Sequence, residues 1–185
     1  NDTNNLLSGS LFYSFSGRSS MYYAPLDMIT KGGSFRWGRR FKWPDDYFRG
    51  SWSFTGHQRT YEAENDEQLQ LYTGGLNQTV GISINQSISR DSRDHPEFPT
   101  IGSLMAISSS ISGGPLGGNE DFHKHVLNLE WYTPTFWKFV LMSSVKLGGI
   151  KALPSNGNER SIIPFNERFI MGGSGMIYGN PLRGY

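Results

Sequence analysis

The chain has 185 residues, which is enough to bury one hydrophobic core or to form one part of a larger fold. Its net charge of +1 indicates neither a nucleic acid nor another polyanion as a partner, and the absence of cysteine excludes thiolate catalysis and cysteine-based zinc sites. The composition, with 23 glycines, 14% aromatic residues and no apolar run near the roughly 20 residues of a membrane helix, is typical of an all-β protein.

Apolar and polar residues alternate along about seven segments, and this alternation predicts β-strands. In the first segment, Leu7, Leu11 and Phe15 alternate with serines. Each segment is close to the ~9–11 residues that a tilted membrane-spanning strand requires. The predicted strands cover approximately residues 6–17, 32–43, 47–62, 77–90, 101–112, 122–132 and 138–149.

Alternation alone does not decide whether the apolar face packs inside a soluble sandwich or contacts lipid. Two features favour lipid. The polar face is rich in Ser, Thr, Gly and Arg and lacks the dense Lys and Glu of ordinary solvated surfaces. Aromatic residues also lie near the strand ends, as in an interfacial girdle: Tyr13, Trp37, Trp43, Trp131 and Tyr132. One misfit is Arg39, which falls on the apolar register, although an arginine near a strand end can extend to the lipid head groups.

The connections between the predicted strands alternate in length. Short ones contain residues 44–46, 93–102 and 133–135, whereas long ones cover 18–31, 63–76 and 113–121. Short turns at one end and long loops at the other are typical of outer-membrane barrels. By this count, the segment that follows the last strand leaves on the external side.

The last segment, Ile163–Tyr185, has neither a helical nor a strand period and is rich in glycine. Long loops without secondary structure are usually functional or disordered, and the aromatic residues of this one argue against disorder. We therefore expect a shaped loop that packs against the rest of the chain.

Three motifs resemble those of one known family, the BamA superfamily of outer-membrane assembly and translocation barrels. Arg90–Ser103, RDSRDHPEFPTIGS, is similar to the family's periplasmic turn RDxRDxPxFPTxGS. Pro164–Phe169 followed by Gly172 and Gly173 is similar to PFYERFxxGG. Leu182–Tyr185, LRGY, is similar to the VRGF tip of the sixth external loop.

The resemblance implies an all-β fold, an antiparallel transmembrane β-barrel of about sixteen strands. Residues 1–185 would form a partial barrel domain, with the loop 150–185 folded into the lumen. The periplasmic POTRA repeats and the first and last strands would lie outside this sequence. We expect a fragment of a longer chain, because an open sheet with two bare edges is not stable alone.

The resemblance also implies the functional residues. Arg183 would point into the lumen and bind acidic side chains beyond Tyr185, with a solvated surface arginine as the alternative. The periplasmic turn is interpreted as structural, with contact to a partner as the alternative, and Glu167 and Arg168 are expected to form an ion pair. The loop tip consists of Leu182, Arg183, Gly184 and Tyr185; the loop base of Pro164, Phe165, Glu167, Arg168, Phe169, Gly172 and Gly173; the turn of Arg90, Asp91, Arg93, Asp94, Phe98, Pro99, Thr100 and Gly102.

The sequence indicates no enzyme, cofactor or metal site. Gly172–Gly175 lacks the Lys-Ser/Thr pair of phosphate loops, and Met176 interrupts a GxSxG nucleophile elbow. His123 and His125 have a spacing that suits a metal, but no third ligand lies nearby in the sequence.

The resemblance implies an assembly factor that inserts unfolded β-barrel client proteins into the outer membrane of Gram-negative bacteria. Outer-membrane lipid would surround it, and accessory lipoproteins would bind through the POTRA repeats. Three alternatives stay open: a two-partner or TamA-type translocation barrel, a passive porin, and a soluble β-sandwich binding protein. The basic polar face, which includes Arg36, Arg40 and Lys146, suits either an anion-selective pore or a lumen filled by the loop.

Overall fold

The computed structural model describes residues 5–17, 26–154, 162–164, 167–171 and 179–180. Seven long strands dominate these residues, together with one short α-helix, α1 (Asp66–Thr73), and one turn of 3-10 helix, Gly114–Leu116. Within this part of the chain, no helix has the length and apolar character needed to cross a membrane. The strands are β1 (Asn5–Ser16), β2 (Asp27–Arg40), β3 (Phe48–Glu62), β4 (Gln78–Asp91), β5 (Gly102–Ser112), β6 (Phe122–Pro134) and β7 (Val140–Ala152), followed by the short parallel pair β8 (Ile170–Met171) and β9 (Gly179–Asn180).

The seven strands form one antiparallel meander in the order β1 to β7. This arrangement confirms the predicted all-β antiparallel fold. Several predicted bounds differ from the structure, and those of β2 and β7 differ most: β2 ends at Arg40 instead of residue 43, and β7 begins at Val140 instead of residue 138. β2 begins at Asp27 instead of residue 32, because its first residues pair with the last residues of the long strand β3. β7 continues to Ala152, so residues 150–152 belong to a strand and not to the long loop.

The cross-strand register places the apolar residues on one face of the sheet. Phe35 lies between Gly9 and Phe54, Ile84 lies between Phe54 and Ile111, and the pattern continues to β7. Directly opposed residues share a face of the sheet, so these side chains form one continuous surface. Its members include Leu7, Leu11, Phe35, Trp37, Trp52, Phe54, Ile84, Ile88, Ile107, Leu127, Leu147 and Val145.

Within the described residues, no second sheet covers this apolar face. Leu11 is 93% exposed and Leu147 is 59% exposed, whereas the buried hydrophobic side chains are Leu26, Tyr61 and Phe122. A soluble sandwich has the opposite arrangement, with its apolar faces packed against each other. The described residues therefore form no β-sandwich among themselves, and an apolar surface of this size requires lipid or another apolar partner.

Aromatic residues collect on the apolar face near its short-turn end. The rings of Trp37 and Trp52 stack with their centroids 4.8 Å apart, and Phe41 packs edge-on against Trp52 at 6.3 Å. Tyr132, predicted as part of the aromatic girdle, lies on the polar face, where its hydroxyl donates to Glu130 at 3.0 Å. The reason is the strict alternation of β6, which puts Trp131 and Tyr132 on opposite faces.

Candidate functional site

A buried carboxylate lies at the long-loop end of the polar face. Glu120 belongs to the connection between β5 and β6, and its side chain is 1% exposed. Its Oε2 accepts a hydrogen bond from Arg59 Nη1 at 2.7 Å and lies 2.9 Å from His57 Nε2. Its Oε1 accepts from Thr79 Oγ1 at 2.6 Å. We name His57, Arg59, Thr79 and Glu120, together with Lys124 and Glu167, the loop anchor.

The strand register explains how the anchor assembles. His57 and Arg59 both point to the polar face of β3, because they are two residues apart. Thr79 of β4 is the direct partner of Arg59, and Gly81 is the partner of His57. A Cβ on Gly81 would lie 2.5 Å from the His57 ring and 2.6 Å from Glu120 Oε2. Glycine at this position therefore provides the space in which the carboxylate and the imidazole meet.

Backbone hydrogen bonds hold the β5–β6 connection against β4. Asn119 N donates to Val80 O at 3.0 Å, and Val80 N donates to Asn119 Oδ1 at 2.8 Å. Gly113 N donates to Ile82 O at 3.0 Å. The connection thus lies along the part of β4 that extends beyond β5, and this position carries Glu120 over the polar face.

The predicted loop base contacts the same site through Glu167. Its Oε2 lies 3.3 Å from Lys124 Nζ and its Oε1 lies 3.7 Å from Arg59 Nη2, while its backbone carbonyl accepts from Lys124 Nζ at 2.9 Å. In the described part of the chain, Glu167 therefore pairs with Arg59 and Lys124, and Arg168 donates to Ile163 O at 3.1 Å. The expected Glu167–Arg168 pair is replaced by ion pairs to the sheet.

Contacts of the Phe169 ring and a backbone hydrogen bond also support this base. Lys124 Nζ lies 5.2 Å from the centre of the Phe169 ring, and a Cβ on Gly148 would lie 2.6 Å from that ring. Pro164 is fully buried. Ile162 N donates to Asn119 O at 3.1 Å, which joins the loop base to the β5–β6 connection. The anchor is therefore one continuous set of contacts from β3 and β4 through Glu120 to the base of the long loop.

Charge balance at the anchor depends on Glu120. Burial by itself raises the pKa of a carboxyl, but the bonds from His57, Arg59 and Thr79 outweigh burial and hold the pKa of Glu120 below its ordinary value. The carboxylate stays ionised and compensates Arg59, whose side chain is 9% exposed. The outer pair of Glu167 and Lys124 is partly solvated and contributes at most about 1 kcal/mol.

The predicted periplasmic turn between β4 and β5 is held by its own acidic side chains. Asp91 binds Arg93 through both carboxylate oxygens, each at 2.9 Å. Asp94 Oδ1 accepts from Thr100 N at 2.8 Å and from Ile101 N at 3.2 Å. The bonds from Thr100 hold the pKa of Asp94 well below its usual range, whereas the bond to Asp91 raises the pKa of Arg93.

The other predicted residues of this turn have distinct surroundings. Arg90 Nε lies 2.8 Å from Asp45 Oδ2, so this strand end is tied to the β2–β3 turn. Phe98 is 77% exposed, and Pro99 is half-buried beside it. Gly102 has a φ of 111°, and a Cβ there would collide with Ser92 O, so only glycine fits the first position of β5.

We expect Asp94→Ala to loosen this turn without affecting the loop anchor. The backbone amides of Thr100 and Ile101 lose their acceptor, so their hydrogen exchange should become several-fold faster. Hydrogen exchange followed by mass spectrometry on the full-length protein would measure the change. Glu97→Ala, which removes an exposed carboxylate of the same turn, is the matched control and should leave both rates unchanged.

Comparison with known proteins agrees with this fold. The Omp85 superfamily domain matches residues 2–185, nearly the whole chain. The chain belongs to the Omp85 superfamily. The predicted resemblance is thereby confirmed, as is the predicted localisation in the bacterial outer membrane. In an Omp85 barrel, the apolar face of this sheet contacts lipid and the polar face lines the lumen.

One curated relative is the outer membrane protein assembly factor BamA of Nitratidesulfovibrio vulgaris, which is 25% identical over 141 residues. The match covers 76% of this chain and 17% of the relative. The chain therefore spans less than a fifth of the length of that protein.

Several predicted residues of the Omp85 loop lie outside the described residues. They are Phe165, Gly172, Gly173, Leu182, Arg183, Gly184 and Tyr185. The lumenal position of Arg183 and its acidic partner stay predictions. Conversely, sequence reasoning missed His57, Thr79 and Glu120. One feature of the sequence could have indicated the site. Arg59 is a lumen-facing arginine, and neither β2 nor β4 places a carboxylate opposite it, so its partner has to come from a loop.

Proposed function

We propose that the protein containing this chain is an outer-membrane assembly factor that inserts and folds β-barrel client proteins. Membership of the Omp85 superfamily and similarity to a protein named as an assembly factor support this role. Its partners would be unfolded client proteins, the surrounding outer-membrane lipid and accessory lipoproteins that bind POTRA repeats. The proposed role involves no covalent chemistry, so we propose neither an enzymatic activity nor a cofactor.

The observation that carries this proposal is the loop anchor. Glu120 and Glu167 bring two external segments onto the lumenal face, where they bind Arg59 and Lys124. A passive porin requires an open lumen, whereas these contacts hold backbone and side chains of two external segments against the lumenal face. The anchor therefore favours a barrel with a loop-filled lumen over a diffusion pore.

The lipid-facing surface supports the same role. Its exposed aromatic and aliphatic side chains form a continuous apolar face beside a lumenal face rich in hydroxyl groups, such as Ser10 and Ser34, whose Oγ atoms lie 2.8 Å apart. In the proposed mechanism, client strands enter the bilayer beside the barrel and not through it. The loop anchor holds the external segments against the lumenal face during this process.

Client folding by the full-length protein in liposomes would test the proposal. Addition of a urea-unfolded β-barrel protein should produce folded, heat-modifiable client much faster than with empty liposomes. A stable, large conductance without faster client folding would instead indicate a porin. Passage of the client into the liposome interior would indicate a translocation barrel of the two-partner or TamA type.

Arg183→Ala is expected to reduce the rate of client folding strongly, about tenfold or more, if the guanidinium holds the loop tip through charge-assisted bonds. Arg39→Ala, which removes an exposed arginine from the lipid-facing register, is the matched control. Equal folding rates for the two variants would contradict the proposed role of Arg183 in the loop tip.

A further inference from the structure

Three polar side chains of β5 and β6 interrupt the lipid-facing surface at its external end. Ser109, His123 and His125 lie on the same face as Ile107 and Leu127, because each is an even number of residues along its strand from one of them. They are joined there by Lys151, the direct partner of His123 on β7. We name Ser109, His123, His125 and Lys151 the rim cluster.

The rim cluster contains a chain of hydrogen-bonding groups. Ser109 Oγ lies 2.9 Å from His125 Nδ1, and His125 Nε2 lies 3.1 Å from His123 Nδ1. When Ser109 donates to His125, His125 donates to His123, and the Nε2–H of His123 is left as a donor to the surroundings. The chain of hydrogen bonds therefore ends in the Nε2–H group of His123, which can donate a hydrogen bond to an anion.

The charges around the cluster also favour an anion. Lys151 lies opposite His123, and opposed cross-strand residues have Cβ atoms about 5 Å apart. On the lipid-facing register of β5, β6 and β7, the described residues include no carboxylate. A metal ion at the two histidines would be repelled by Lys151, whereas a phosphate would be attracted by it.

There is room for a ligand beside the histidines. Gly149 is the direct partner of His125, and a Cβ built on it meets no atom within 4 Å. Directly below, towards the middle of the membrane, lie Ile107, Leu127 and Leu147, of which Leu147 is 59% exposed. Along β6 and β7 the surface therefore changes from hydrogen-bond donors and a cation at the rim to an apolar wall beneath it, while Ile111 of β5 lies beside His123 at the rim.

We propose that the rim cluster binds the phosphorylated head group of an outer-leaflet lipid. His123 Nε2 and Lys151 Nζ bind the phosphate, Ser109 and His125 orient His123, and the acyl chains lie along Ile107, Leu127 and Leu147. The order of polar and apolar groups on the protein matches that of such a lipid. This site goes beyond the proposed assembly function and depends only on the lipid-facing register of three strands.

Native mass spectrometry of the delipidated full-length protein would test the site with three probes: phosphatidic acid, diacylglycerol of the same acyl chains, and inorganic phosphate. Phosphatidic acid should bind more tightly than either of the others. His123→Gln, His125→Gln and Lys151→Gln combined should weaken its binding about tenfold, since one to two charge-assisted hydrogen bonds are lost. Lys31→Gln removes a lysine from the same face at the external end of β2 and should have little effect.

Three outcomes would overturn the proposal. Diacylglycerol that binds as tightly as phosphatidic acid would show an apolar surface only, and inorganic phosphate that binds as tightly would show an anion site without lipid. If the triple variant and Lys31→Gln weakened the binding of phosphatidic acid equally, the binding would be non-specific electrostatic attraction. Heat-modifiable migration would verify that each variant is folded, and Lys151→Glu, which should repel the phosphate, replaces the triple variant if that variant does not fold.

Discussion

Replacing Glu120 by alanine is expected to lower the free energy of unfolding by about 3–5 kcal/mol, the cost of removing one partner from a buried ion pair. The guanidinium of Arg59 would be left buried without a compensating charge, and Thr79 and His57 would lose their acceptor. The contacts of the β5–β6 connection with the long loop should weaken with it. Urea unfolding of the full-length protein would measure the loss, and limited proteolysis would report release of the external loops.

Glu67→Ala is the matched control, because Glu67 is an exposed carboxylate in α1. Glu120→Gln should have an intermediate effect, since the amide keeps one hydrogen-bond acceptor but carries no charge. A Glu120→Ala variant as stable as Glu67→Ala would show that the buried carboxylate does not hold the anchor together.

Acid should weaken the same contact. The pKa of Glu120 is lower in the folded protein than in the unfolded chain. The carboxylate therefore contributes fully to the free energy of unfolding when the pH is above the pKa of the unfolded chain, about 4.3. As the pH falls through the lower, folded pKa, the carboxylate binds a proton and the contribution is lost. The difference in stability between wild type and Glu120→Gln should therefore shrink in acid, and a difference that is independent of pH would contradict the assignment.

Gly81→Ala is expected to destabilise the protein by about 1–3 kcal/mol, although it removes no member of the loop anchor. The added Cβ would lie 2.5 Å from the His57 ring and 2.6 Å from Glu120 Oε2, so at least one of them must move. Since Glu120 also binds Arg59 and Thr79, a displacement at this point disturbs all the bonds of the carboxylate. Urea unfolding of the full-length protein is again the measurement.

Gly56→Ala provides a close control for this substitution. Gly56 lies in the neighbouring strand β3, and a Cβ there meets no atom within 4 Å. The two variants share the same chemical change, but the new methyl group of Gly56→Ala lies on the lipid-facing register, opposite Gly33 and Ile82, and away from the loop anchor. If both lost the same stability, the effect would be due to strand propensity and not to the anchor.

The rate of client folding by the Glu120 and Gly81 variants would test whether the loop anchor is required for the proposed function. If the anchored loop is required for assembly, Glu120→Ala and Gly81→Ala should slow client folding under conditions in which both barrels are still folded. Glu67→Ala and Gly56→Ala should not. Normal client folding by a variant whose external loops are released would show that the anchor serves stability alone.

Local sequence information was sufficient for the architecture. In β3 and β4, every second side chain points to the same face of the sheet. This alternation places Phe54 and Ile84 together on the apolar face. The turn around Asp94 is also local, since its acceptors and donors lie within seven residues of each other. One error was local, because the alternation along β6 already places Tyr132 on the polar face. The other was not local, because the start of β2 depends on the length of its partner strand β3.

The sequence by itself determined the strands, their two chemically different faces and the turn motifs, because these depend on side-chain spacing along one segment. Only the tertiary structure decided the loop anchor. Glu120 and Arg59 are 61 residues apart, and Glu167 reaches the same guanidinium from the other end of the chain. Neither carboxylate lies in a strand, so no period relates it to its partner. The path of the loops over the sheet brings the charges together, and burial makes that contact strong.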